Sequence, residues 1–190
     1  MRNATRLLGL AALAAGSLSC GDVVRDSRSP VFLTLDSLTA GTNSTVLLSD
    51  VQVIIAGAKT TFNDLGRATF RIVPKDPIGL ATPTTNNEVT ITRYHVSYRR
   101  ADGRNVQGVD VPYAFDGVLT GTVGVGSAST LGFELVRHVA KDESPLVQLI
   151  NSRSIITTIT DVTFYGTDRV GNAVSATGSI QIDFGNFGDS

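Results

Sequence analysis

The chain has 190 residues, with 16 Lys and Arg against 17 Asp and Glu, and a formal charge of -1 excludes the basic footprint that a nucleic-acid binder needs. Hydrophobic residues make up 42%, too many for a disordered chain and enough for a packed core. Val and Thr abound beside a single Met and no Trp, and because branched side chains fit a pleated surface, this composition predicts an all-β fold.

Arg2 and Arg6 precede an apolar run from Leu7 to Ala15, and small residues follow at Gly16, Ser17 and Ser19, the charged, apolar and small order of an export signal. The stretch from Leu7 to Leu18 is short of the ~20 residues a membrane-spanning helix needs, and nothing later approaches that length. Cys20, the only cysteine, follows at once in the context Ser17-Leu18-Ser19-Cys20-Gly21. This resembles the lipobox of bacterial lipoprotein precursors, with the apolar residue displaced by one position toward the cysteine. The resemblance implies removal of residues 1–19, acylation of Cys20 and a membrane partner reached through the N-terminal lipid. Gly21 stands where some bacterial lipoproteins carry an Asp that retains them at the inner membrane, so the resemblance favours the outer membrane or surface of a bacterial cell envelope. Loss of Arg2 and Arg6 with the signal leaves an acidic balance, so the lipid rather than a basic patch must supply membrane affinity. Residues 20–30 are charged and small without an apolar period, and read as a tether that at ~3.3 Å per residue reaches about 30 Å.

From Val31 on, apolar runs alternate with turn signals. Strands are predicted at Val31 to Leu35, Thr45 to Leu48, Val51 to Ile55 and Ala68 to Val73, followed by an exposed connection from Pro74 to Asn87 that is rich in Pro, Thr and Asn. A long strand follows over Val89 to Arg100. Its apolar phase switches between Ile91 and Tyr94, which predicts a bulge near Thr92 and Arg93. Asp102-Gly103 reads as a hairpin turn, with Val106 to Val111 pairing back, and since Pro112 cannot donate a ladder hydrogen bond that strand ends there or lies at a sheet edge. Further strands are predicted at Val118 to Val125 and Thr130 to Arg137. Ser144 as cap with Pro145 at the first helical position predicts the one short helix of the chain, over Leu146 to Ile150. Ile155 to Thr167 and Ala173 to Phe184 then form the clearest pair: Val174, Ala176, Ile180, Ile182 and Phe184 alternate with Ser175, Thr177, Ser179, Gln181 and Asp183, one face dry and the other wet.

Between them, Val162 to Ser175, with Asp168-Arg169-Val170-Gly171-Asn172 at its turn, resembles the last hairpin of bacterial immunoglobulin-like repeats. The resemblance implies a single immunoglobulin-like antiparallel β-sandwich over residues 31–190, with extended loops at Pro74 to Asn87 and Val139 to Asn151. It implies a binding or structural module at the envelope whose partner is a protein or a polysaccharide. The alternative is an envelope enzyme, or an accessory carbohydrate-binding domain of one.

Chemistry is sparse. His95 and His138 lack the cysteines and spacing of a zinc site, and no Gly-x-Ser-x-Gly elbow accompanies them. Gly121, Gly124 and Gly126 precede a strand rather than a phosphate-binding helix. Asp110, Asp116, Asp161 and Asp168 lack the dense spacing of a calcium loop. Neither a catalytic set, a metal nor a cofactor is therefore expected. Arg93, Arg99, Arg100 and Arg104, with Tyr94 and Tyr98 between them, cluster around Asp102-Gly103 and form the candidate patch for an anionic glycan, against the simpler expectation of a solvated hairpin end.

Overall fold

Strict alternation of branched or aromatic residues with polar ones requires each strand to bury one face, and the chain meets this with two sheets that share one core. The structure, a computed structural model, describes residues 28–76, 78 and 82–187. Cys20, the signal residues 1–19 and the tether before Arg28 lie outside the described residues.

Among the described residues ten strands run β1 (Val31–Ala40), β2 (Val46–Asp50), β3 (Val53–Ile55), β4 (Ala58–Thr60), β5 (Asp64–Pro74), β6 (Val89–Arg99), β7 (Phe115–Val123), β8 (Ser129–Val136), β9 (Ile156–Asp168) and β10 (Ala173–Gly185). A smaller sheet has the order β1-β5-β8 and a larger one the order β2-β10-β9-β6-β7, while β3 and β4 form a separate ribbon. Neighbours are antiparallel except β2, which runs parallel to β10. The larger sheet curls into a half-barrel. The fold is all-β, as the composition predicts.

Aromatic rings join the sheets. Phe164 of β9 meets Phe70 of β5 edge-on at 4.9 Å and Phe133 of β8 at 5.1 Å, and Tyr94 of β6 meets Phe133 at 5.1 Å. Edge-to-face contacts suit the ring quadrupole, so this cluster fixes the spacing of the sheets as well as filling it. Two phenols add cross-sheet hydrogen bonds. Tyr98 Oη donates to the Leu135 carbonyl at 2.9 Å, and the Glu134 N–H donates to Tyr94 Oη at 3.2 Å.

The terminal pair forms as its alternation predicts, with Val174, Ala176, Ile180, Ile182 and Phe184 buried on β10. Asp168 builds the turn: its Oδ1 accepts the N–H groups of Val170 (3.1 Å) and Asn172 (2.8 Å), and its Oδ2 accepts Asn172 Nδ2 at 2.8 Å. Gly171 lies at φ +87 with open space around its Cα. A branched residue there meets no neighbour but is strained by its backbone, at a cost of ~1–2 kcal/mol. Gly171→Val is therefore expected to lower the urea midpoint clearly more than Ser175→Val on the exposed face, and equal midpoints would contradict this account of the turn.

The bulge in β6 falls between Ile91 and Arg93, as the phase switch predicts. The return strand at Val106 to Val111 does not form. The N–H groups of Val109 (3.1 Å), Asp110 (2.8 Å) and Val111 (3.3 Å) all point back to the Val106 carbonyl, and Asp110 Oδ2 accepts the Val106 N–H at 3.1 Å. That curl uses the backbone groups a strand would offer, so β6 pairs with β7 instead. Pro112 is buried rather than at a sheet edge. The predicted run Val51 to Ile55 is broken because the buried Val51 turns its N–H to the Gly185 carbonyl at 2.9 Å. Leu146–Asn151 is a 3-10 helix with Pro145 at its N-cap and no side-chain cap; Ser144 Oγ instead accepts Gln148 Nε2. Among the described residues a 3-10 helix at Thr85–Asn87 and a short helix α1 (His138–Lys141) also form, neither of them among the predicted elements.

Candidate functional site

The pleat of β6 divides the predicted patch. Beyond the bulge, Tyr94, Val96 and Tyr98 face the core while Arg93, His95, Ser97 and Arg99 face outward. Tyr94 and Tyr98 are 2% and 6% exposed, and burial pushes both phenols above their ordinary range. They are cross-sheet core residues and offer no surface to a ligand.

Each arginine of the patch has a partner, and only Arg100 and Arg104 share one. Arg93 lies over the Tyr165 ring at 3.8 Å. Arg99 Nε donates to Asp161 Oδ2 at 2.7 Å, and Ser179 Oγ donates to the other oxygen of the same carboxylate. The Arg99 hydrogen bond holds Asp161 below the usual carboxylate range despite partial burial. Arg100 and Arg104 both reach Asp102 Oδ2 at 2.7 Å, Arg104 adding its backbone N–H. Those bonds, Arg104's first, hold Asp102 well below the usual range. Asp102 thus acts as a clamp at the loop after β6, and only Arg93 and Arg99 remain on the outer face of the larger sheet.

That face is ordered in rows by strand register. Asp116, His95, Thr163 and Thr177 are successive partners across β7, β6, β9 and β10. Within the row, His95 Nδ1 lies 3.0 Å from Asp116 Oδ1, and the Thr163 and Thr177 hydroxyls are 3.0 Å apart. The next row runs Ser97, Asp161 and Ser179. His138 sits elsewhere, its Nδ1 2.8 Å from Asn63 Oδ1. Asp110, Asp116, Asp161 and Asp168 are thus spent on separate partners, and among the described residues no three His, Cys, Asp or Glu side chains gather as metal ligands.

A polar cluster that the sequence does not announce lies at the end where β6 finishes. Lys141 of α1 is 1% exposed, and its Nζ donates to the Asp50 carbonyl at 2.8 Å and to Asp64 Oδ2 at 3.0 Å. Ser49, fully buried on β2, donates to the same Asp64 oxygen at 2.6 Å. Burial raises the Asp64 pKa, against the lowering effect of Lys141 and Ser49. The group ties the end of β2, the start of β5 and α1 into one unit, and with Lys141 so covered it is built for structure rather than for substrate.

The opposite end holds a cavity of about 280 Å³ lined by Pro30, Val31, Pro74, Asp76, Thr82, Pro83, Thr84 and Asn87. It sits beside the point at which the chain enters the fold. Among the described residues no helix is long and apolar enough to cross a membrane.

No protein-family model and no curated protein matches the chain. Among solved structures it is similar to a solution structure described as that of a late embryogenesis abundant (LEA) protein, with 11% identity and a TM-score of 0.42 over 95% of this chain and 88% of that one. At that distance the likeness carries no argument.

Proposed function

We propose that the chain is a lipid-anchored protein of the bacterial cell envelope whose folded part is a single, non-catalytic immunoglobulin-like module for binding or support. The observation that carries the fold half of this reading is strand order. In an immunoglobulin-like sandwich the strands run A-B-E-D in one sheet and C-F-G in the other. Assigning β1, β5 and β8 to A, B and E, and β6, β9 and β10 to C, F and G, follows these orders, with no strand in the D position among the described residues. β7 then extends the second sheet beside C, and β2 is a continuation of A that crosses to lie parallel to G. The buried Phe70, Phe133 and Phe164 take the inter-sheet space that a disulfide and Trp fill in antibody domains.

The anchoring half rests on Cys20 and the apolar run before it. Such a module positions its loops and outer face rigidly, which suits recognition of an envelope protein or polysaccharide. Cys20→Ala is expected to abolish acylation and release the protein from the membrane fraction. Radiolabelled palmitate on that variant would overturn the reading.

A further inference from the structure

We infer that the end of the domain at which the tether arrives rests on the lipid bilayer, with Phe32, Ile78 and Val170 dipping into the headgroup layer; this rests on the lipid-anchored reading above. Three segments meet at that end. Val31 pairs with Pro74, and the Lys75 N–H donates to the Pro30 carbonyl at 2.9 Å, so the arriving chain lies against the segment that leads to Ile78. The β9–β10 turn joins them, because Val89 pairs with Asp168 and the Arg169 N–H donates to the Asn86 carbonyl at 3.2 Å. Phe32, Lys75, Val174 and Ser175 line one small cavity, which brings the outer face of β1 to the start of β10.

Among the charged and polar residues of this end, such as Asp76 and the Arg169–Glu88 pair, three apolar side chains stand uncovered. Ile78 is 91% exposed, Val170 64% and Phe32 53%. Phe32 has Val73, itself partly exposed, as its cross-strand partner. Lys75 Nζ stands 5.0 Å from the Phe32 ring, which keeps the lysine stem with the apolar atoms of this end. Isolated exposed apolar residues need no explanation, and the loops at the other end carry them too, Val109 being 65% exposed. What separates the ends is distance from the lipid. A tether of about ten residues reaches at most ~30 Å and keeps this end at high effective concentration near the bilayer. β9, with 13 residues, spans ~40 Å at ~3.3 Å per residue, so the Val109 end stands that much further off. The apolar tips therefore have one ever-present partner, the bilayer interface, where exposed apolar groups are stabilised.

The chain contains no Trp and one Cys, which makes the test direct. Val170→Trp and Val109→Trp each introduce a sole Trp at nearly equal exposure. The chain from Cys20 onward, which contains every described residue, is coupled through that thiol to a maleimide-bearing phosphatidylethanolamine in phosphatidylethanolamine and phosphatidylglycerol vesicles. With acyl chains brominated near the headgroups, the Val170→Trp form is expected to lose about half of its emission and shift to shorter wavelength, since interfacial side chains lie ~5–10 Å into the headgroup boundary. The Val109→Trp form should keep its emission. An unquenched Val170→Trp form, or equal quenching of both, would overturn the inference. Because the lipid is supplied chemically, this outcome is independent of whether the cell acylates Cys20, which palmitate labelling reads separately.

Discussion

Asp64→Leu is expected to cost about 3–5 kcal/mol of unfolding free energy, the range for removing one partner of a buried ion pair. It leaves the Lys141 ammonium, whose side chain is 2% exposed, with the Asp50 carbonyl as its named partner. Lys141→Met should cost less. The Asp64 side chain is 18% exposed and keeps the Ser49 hydrogen bond, and its pKa is raised by burial, so it can escape an unpaired charge by taking a proton. The pH dependence follows with a definite sign. A carboxyl whose pKa is higher folded than unfolded contributes stability that is present at low pH and lost as pH rises through the folded value. Removing Lys141 removes the chief lowering influence on Asp64, so the deficit of Lys141→Met should shrink as pH falls from neutral toward the acid side. Asp161, held low by Arg99, works the other way: its contribution is present above the ordinary carboxylate range and lost as pH falls through its lowered pKa. The double variant Asp64→Leu with Lys141→Met should recover to within about 1–2 kcal/mol of the parent, because the loss in each single variant comes from the stranded partner. Urea melts at several pH values decide the matter. A larger loss for Lys141→Met than for Asp64→Leu at neutral pH would show that the carboxylate, not the ammonium, depends on the pair.

Local chemistry was legible in the sequence where it also decides the structure. The β9–β10 pair follows from period-two alternation on both strands and from Asp168 and Gly171 at a turn that needs a side-chain acceptor and a positive φ. The β6 bulge follows from one break in phase. The two tyrosines leave the arginine patch because nearness in sequence is not nearness on a sheet: the period that makes β6 recognisable also sends Tyr94 and Tyr98 inward and Arg93 and Arg99 outward. A finer use of alternation would have separated them. The curl at Val106 to Val111 was hidden by its apolar ends, and the informative residue was Asp110, whose carboxylate can cap an N–H four residues back. The Ser49–Asp64–Lys141 cluster carries no such local signal. Lys141 lies in a stretch with Asp142 and Glu143 that reads as exposed, and its partners come from β2 and β5 across the fold.

Ending the chain after Asp168 is expected to abolish cooperative unfolding altogether. β10 lies between β9 and β2, so its loss bares the full ladder of β9 and takes from β2 the strand it pairs with. Val174, Ala176, Ile180, Ile182 and Phe184 leave the core together, and Tyr98 loses the Phe184 ring that packs edge-on at 5.9 Å. Each of the larger side chains is worth ~1.5–3 kcal/mol when buried, against ~5–15 kcal/mol of net stability for a whole domain, so the sum exceeds what the rest of the fold retains. The bared edge of β9 also carries Thr158, Val162 and Phe164 on the face that was buried, which makes the product prone to strand-to-strand aggregation. Phe184→Ala provides the graded comparison: it removes one ring and should cost ~3–5 kcal/mol while leaving a single, earlier transition. A truncated chain that melts cooperatively at the parent's midpoint would mean that the smaller sheet and β6–β9 hold together without the last strand, and the proposed immunoglobulin-like reading, which assigns β10 between β9 and β2 as strand G, would lose its support.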